Sequence, residues 1–329
     1  MQPSFIPSSK HIDRKRSPVA RVAVSLLLLL LIVAVVNQLY LDTFLSSTLH
    51  YRQEQQLKEF VQATKLCTLF VGDSHTMYGV DPTNIPHSFN IGGGSNSYAE
   101  SYYKLKKILD AGIQPKNIIL EIDRHSFSSY FFDSPIMAQQ SWLYAQFTPI
   151  NVIADISNST HVAIWLRSKF PFIGHGAEWI AHSTEYSDLH LGWLSLNSTL
   201  DITVRPDNVY PLMSKVFNEN GMDERQVYFY KQILLLAKKN NLTIVLVAYP
   251  ISPPFIDAIT NKKIDLVNYY STIFSITDAI YPDYAALDYV SLYYKKPEFF
   301  FDYDHLNSVG AHFFSERLYN DLRPALGNC

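Results

Sequence analysis

The run VAVSLLLLLLIVAVV, residues 22–36, limits what this chain can fold into more than any other stretch. With Leu39, Tyr40 and Leu41 the apolar segment extends over 22–41, and about 20 apolar residues are what an α-helix needs to cross the hydrocarbon layer. Lys10, Arg14, Lys15, Arg16 and Arg21 precede it, opposed only by Asp13. The positive-inside tendency keeps such a tail in the cytoplasm and sends the rest of the chain to the far side. A cleaved signal peptide would have a shorter apolar region with a small-x-small site behind it. Here the run continues into Val35-Val36-Asn37-Gln38, so an uncleaved single-pass anchor is the favoured reading.

The chain then divides into a basic tail 1–21, an anchor 22–41, a partly helical stalk 42–64 and an exported domain 65–325. Five cations against Asp13 leave the tail at +4; with a whole-chain formal charge of −3, the remainder carries −7. A mildly acidic exported part argues against nucleic acid as a partner. Hydrophobic residues at 47% and charged residues at 17% supply a core for one large domain. Of the two cysteines, Cys67 falls in an apolar run and Cys329 is the last residue. A disulfide between them is not expected.

Past the stalk, apolar runs short enough for buried strands occur at 66–71, 88–91, 117–122 and 242–248. Between and after them come helical patterns at 98–111, 224–240 and 308–322, the last capped by Asn307 or Ser308. Uniformly apolar strands alternating with helices imply an α/β domain, its parallel sheet covered on both faces. The rhythm breaks between about 134 and 220, which is expected to be an insertion beside the active face.

The first strand ends in Gly72-Asp73-Ser74-His75, at the carboxyl end where parallel sheets gather their sites. A turn needs only the glycine. A serine nucleophile needs an imidazole within hydrogen-bond reach and a carboxylate to orient it. Near the C-terminus FFFDYDHLNSVGAHFF, residues 299–314, places Asp302 three residues before His305, with a helix following. That spacing favours Asp302 over its neighbour Asp304 as the orienting acid. There is no G-x-S-x-G elbow around Ser74.

Gly72-Asp73-Ser74, followed late by Asp302-x-x-His305-Leu306-Asn307, resembles the SGNH (GDSL-type) hydrolase superfamily. The resemblance spans about 64–325, apart from the insertion. It implies a flavodoxin-like three-layer fold with a central parallel sheet, preceded here by one transmembrane helix. It also implies Ser74 as nucleophile, His305 as base, Asp302 as its orienter and no cofactor. By matching Asn90-Ile91-Gly92 it assigns the oxyanion hole to the N–H groups of Ser74 and Gly92. The family's G-x-N-D block stands here as Glu121-Ile122-Asp123-Arg124. Ionised Asp123 would oppose an oxyanion, which leaves Arg124 or His125 as substitute donors. Asp73, His75, Asp123 and Tyr249 are carried as substrate-facing candidates.

The ending F-x-D-x-x-H-L-N-x-x-G-A and the single anchor are similar to those of membrane-anchored SGNH proteins that modify bacterial envelope polymers, as in teichoic-acid D-alanylation and alginate-type O-acetylation. That likeness implies an acyl donor, a glycan or polymer acceptor, a multi-pass membrane-bound O-acyltransferase as partner, and an inner-membrane location with the catalytic domain periplasmic. A membrane-anchored lipase or esterase, and a non-catalytic docking partner of a membrane acyltransferase, are the alternatives. His175, His182 and His190 match no metal-binding spacing. The N-x-S/T matches at Asn158, Asn197 and Asn241 matter only in a eukaryotic secretory host.

Overall fold

The computed structural model describes residues 18–44, 48–133, 145, 147–170, 188–200, 209–211, 213 and 221–326. The apolar run forms helix α1, Pro18–Phe44. Its stretch Pro18–Tyr40 is long and apolar enough to span a membrane, and no part of that window is buried in the protein.

Residues read as a stalk carry a second helix, α2, Leu49–Ala63, capped by the Thr48 hydroxyl. One face of α2 is buried through Leu49, Gln53 and Leu57. It is thus docked on the domain rather than a free spacer. Leu57, Phe60 and Val61 recur at helical spacing and join the main core.

Strand β1 is Thr68–Val71, followed by the short helix α3, Ser74–Gly79. Then come β2, Ser88–Asn90; α4, Tyr98–Asp110; and β3, Asn117–Glu121. Within the expected insertion the described helices are α5, Ile150–Ile156, and α6, His161–Lys169. A small antiparallel hairpin, β4 Leu189–His190 and β5 Trp193–Leu194, follows them. The chain continues through α7, Glu224–Lys239; β6, Thr243–Ala248; α8, Pro253–Asn261; α9, Leu266–Ile280; β7, Tyr284–Asp288; and α10, Ser308–Leu326.

The main sheet has the order β2-β1-β3-β6-β7, and every pairing is parallel. In chain order its strands lie 2-1-3-4-5, the flavodoxin-like arrangement, whose topological switch point falls between β1 and β3. Side-chain alternation builds the two covered faces. Leu69, Val71, Ile118, Leu120, Ile244 and Leu246 pack under α4, α7 and α9. Phe70, Ile119, Val245 and Val247 pack under Phe314, Leu318 and Leu322 of α10.

Two details depart from expectation. Cys67 is buried and disulfide-bonded; the other cysteine, Cys329, lies outside the described residues. A C-terminal helix that starts at the carboxyl ends of the strands runs back toward their amino ends, which is where Cys67 sits. The hairpin is woven into the fold: Asn90 N–H donates to Leu191 O, Trp193 Nε1 donates to Tyr78 O at 2.8 Å, and Ser308 N–H donates to Leu196 O at 2.7 Å. Trp142 and Trp179 of the expected insertion lie outside the described residues.

Candidate active site

Ser74 opens α3 directly after β1, with Asp73 as the helix cap: Asp73 Oδ1 accepts the His75 N–H at 2.9 Å. The preceding glycine is a packing requirement. A Cβ at Gly72 would lie 2.1 Å from Thr76 Oγ1 and 2.3 Å from Glu121 Oε2. Glu121 ends β3, and its Oε2 accepts from Asp73 N–H at 3.0 Å and Thr76 Oγ1 at 2.7 Å. Ser126 Oγ donates to its other oxygen at 2.8 Å. The Ser74 turn is therefore tied to the neighbouring strand end by a buried carboxyl group. Burial, together with the charges of Asp73 and Asp123, holds the Glu121 pKa well above the usual carboxyl value.

His305 precedes α10, which Asn307 caps by accepting the Gly310 N–H at 2.9 Å. The Ser74 hydroxyl lies 2.9 Å from His305 Nε2. On the other side of the ring, Nδ1 lies 2.9 and 3.0 Å from the two oxygens of Asp302. Asp302 Oδ1 also accepts the N–H groups of Asp304 and His305 at 3.1 and 2.9 Å, which fixes the loop carrying both side chains. Serine, imidazole and carboxylate are thus in hydrogen-bonded series. Burial lowers the His305 pKa, but the charges of Asp304 and Asp302 outweigh it and His75 opposes them; the result lies above the ordinary histidine value.

Beneath this series lies a second layer that spacing alone did not show. His75 Nδ1 bonds Asp123 Oδ2 at 2.6 Å, and Asp123 Oδ1 accepts the Tyr249 N–H at 2.7 Å. His125 Nε2 bonds Asp73 Oδ2 at 2.6 Å. Burial raises the Asp73 pKa, and His125, His75 and the hydrogen bond to Glu121 together outweigh it, leaving it far below the carboxylate range. Asp73, His75, Asp123 and Tyr249 are all buried. Their hydrogen bonds run to one another and to backbone, and His75, Asp123 and Tyr249 also border a cavity.

The oxyanion side differs from expectation as well. The Gly92 N–H donates to Asn90 Oδ1 at 2.9 Å and is not free to hold an oxyanion. Gly92 is needed for close approach: a Cβ there would meet Met77 N at 2.7 Å and Asp73 O at 2.9 Å. The Ser74 N–H has no hydrogen-bond partner among the described residues. Of the substitutes, His125 is committed to Asp73, and Arg124 places its guanidinium 5.9 Å from the Tyr269 ring centroid.

Among the described residues, donor atoms come within 4.8 Å of one another in two groups, His75–Glu121–Asp123–His125 and His75–Asp304–His305. Their imidazoles pair directly with carboxylates, the arrangement of a proton-sharing network, and we assign them no metal. His175 and His182 lie outside the described residues, and His190 is exposed on the hairpin.

Sequence reasoning missed Gln53. Its buried amide donates to Gly92 O at 2.7 Å and Gly192 O at 3.0 Å, joining α2 to the glycine loop beside Ser74. It also missed Glu121 as a structural acid, for which a charge closing an apolar run was the available signal.

No known protein family's profile matches the chain, and no curated protein matches it. Among solved structures it is similar to a Bacteroides fragilis protein described as a candidate acylhydrolase. The TM-score is 0.41 and the identity 10%, over 83% of this chain and 96% of that one. A likeness of that size leaves function to be argued from the chain's own geometry.

Proposed function

We propose that the chain is a membrane-anchored, extracytoplasmic serine esterase or O-acyltransferase acting through an acyl-Ser74 intermediate. The observation that carries this reading is the series Ser74 Oγ–His305 Nε2 at 2.9 Å and His305 Nδ1–Asp302 at 2.9 Å, at the switch point of a parallel sheet. Ser74 Oγ attacks the acyl carbon while His305 takes its proton. The Ser74 N–H stabilises the oxyanion. His305 then returns the proton to the departing alcohol, leaving acyl-Ser74. An incoming hydroxyl, from water or a polyol, gives its proton to His305 and attacks the acyl carbon; as the bond to Ser74 Oγ breaks, His305 returns that proton to Oγ and the acyl group leaves on the acceptor.

Two features support an exported setting. One helix is long and apolar enough to cross the membrane, and Cys67 is disulfide-bonded, as expected outside a reducing cytosol. In that setting an envelope glycan or polymer is the acceptor, and a multi-pass membrane-bound O-acyltransferase supplies the acyl donor. A docking role without catalysis draws its support from the Gly92 N–H, which is committed to Asn90.

Labelling the full chain with a fluorophosphonate probe tests the reading. Wild type is expected to label, and Ser74→Ala and His305→Ala are not. Absence of labelling in wild type, or labelling of Ser74→Ala, would overturn it. Product analysis then separates transfer to a glycan hydroxyl from release of free acid, and complementation of cells by Ser74→Ala would decide for docking.

A further inference from the structure

His305 carries two carboxylates on one nitrogen. Asp302 lies 2.9 and 3.0 Å from Nδ1, and Asp304 Oδ1 lies 3.3 Å from it. A serine triad needs only one. Two anions beside an imidazole favour its cation, and a cationic His305 cannot accept the Ser74 proton. The second carboxylate therefore works against the base unless a charge on its far side answers it.

His75 occupies that far side. Its Nε2 lies 3.9 Å from Asp304 Oδ2 and has no hydrogen-bond partner, while its Nδ1 is held by Asp123 at 2.6 Å. The His75 and His305 ring centroids are 5.4 Å apart, edge to face. Acids and imidazoles alternate in the order Asp302, His305, Asp304, His75, Asp123, from a part-exposed Asp302 inward to buried His75 and Asp123. A cavity of about 30 Å³, large enough to admit water, lies against this chain, bordered by His75, Asp304, Asp123 and Ile251.

We propose that His75, clamped by Asp123 and acting through Asp304, is a positioning residue that offsets the second carboxylate at His305 and so keeps that ring able to act as the base. This rests on the acyl-Ser74 reading. The groups facing His75 are Asp123, Asp304, His305, the His125 ring at 4.3 Å, and Asp73 and Glu121 from the turn and β3. Those facing His305 are Ser74, Tyr78, Asp302, Asp304 and His75. Burial opposes a charged His75, yet Asp123, Asp304 and Asp73 together outweigh it and hold the ring well above the ordinary histidine value. Burial likewise raises the Asp304 pKa, and the two histidines His305 and His75 pull it far below the carboxylate range. His75 does not replace His305: its Nε2 faces Asp304, and the Ser74 hydroxyl is bonded to His305.

The test follows two reactions on the full chain in detergent micelles from pH 5 to 9, both read by peptide mass spectrometry. Carbethoxylation by diethyl pyrocarbonate reports neutral His305; fluorophosphonate labelling reports Ser74. In His75→Asn, which keeps a donor toward Asp123 and removes the charge, the His305 midpoint should move up. At pH 6.5 its modification should slow on the order of three- to tenfold. In Asp304→Asn the midpoint should move down. Ser74 labelling should follow both shifts. Unmoved midpoints with uniformly lower labelling would make His75 and Asp304 packing groups and overturn the proposal. Shifted midpoints without labelling of wild type would leave the charge relation standing and sink the acyl-Ser74 reading instead. If His75→Asn fails to unfold cooperatively, the Asp304→Asn midpoint decides alone, and no downward shift overturns the proposal.

Discussion

His305 reaches Ser74 at 2.9 Å across 231 residues of sequence, so the proposed base and nucleophile meet only when β1 and the start of α10 are both in place. Ser74→Ala and His305→Ala should each lower ester turnover by roughly 10⁴-fold or more, because the set acts as a unit. Asp302→Asn should cost less than the ~10⁴-fold of a triad stripped of its only carboxylate, since Asp304 remains 3.3 Å from the same nitrogen. Single-turnover rates on an activated acetyl ester check the ranking.

The acidic limb of activity should sit higher than an ordinary histidine would place it. His305 must be neutral to take the serine proton, and Asp304 and Asp302 hold its pKa above 6.5. Activity therefore rises with pH and reaches half its plateau above pH 6.5. A half-maximum below that value would mean that burial outweighs the carboxylates.

Stability should fall at both ends of the pH scale. The folded-state pKa values of Asp73 and Asp304 are depressed, so their contribution is present above the unfolded value near 3.8 and is lost as pH falls below it. The folded His75 value is raised, so its contribution is full below the unfolded 6.5 and is lost as pH rises through the higher folded value. Urea midpoints from pH 3 to 10 should be highest between these limits. A midpoint that keeps rising into the alkaline range would contradict the His75 assignment.

Gly72→Ala should destabilise by about 1–3 kcal/mol through overpacking, since the new methyl would overlap Thr76 Oγ1 and Glu121 Oε2. It should also abolish fluorophosphonate labelling by displacing the nucleophile turn. Thermal unfolding and labelling of one preparation test both parts.

Gln53→Ala should cost about 1–3 kcal/mol by leaving the buried carbonyls of Gly92 and Gly192 without their donor. A chain beginning at residue 48 should keep its cooperative unfolding and its labelling. One beginning at residue 65 should lose stability. Equal midpoints for the two would show that α2 is dispensable to the domain.

What was legible in the sequence was what local pattern controls. The buried strands are continuous apolar runs, so β1, β3 and β6 could be placed within two residues. Ser74 and His305 could be paired because a strand end and a helix start each carried an acid and a reactive group. The Asn90 side chain capturing the Gly92 N–H could not be read, because it depends on how one loop turns back on itself. The docking of α2 was missed because its polar composition hides a buried face made partly of glutamine. The inward turn of His75 and Asp123 depends on two strand ends lying side by side, a relation that spacing does not carry.

Phe44 closes α1 and Leu49 opens α2, and the five peptide steps between them extend to at most about 18 Å. In the proposed membrane-anchored setting, with α2 fastened to the domain, that short leash would set the altitude at which Ser74 works. There the domain would patrol only a thin shell over the bilayer, and its encounters would be a search across a surface. A polymer would be modified while it threads that shell, and material farther out would go untouched whatever its affinity.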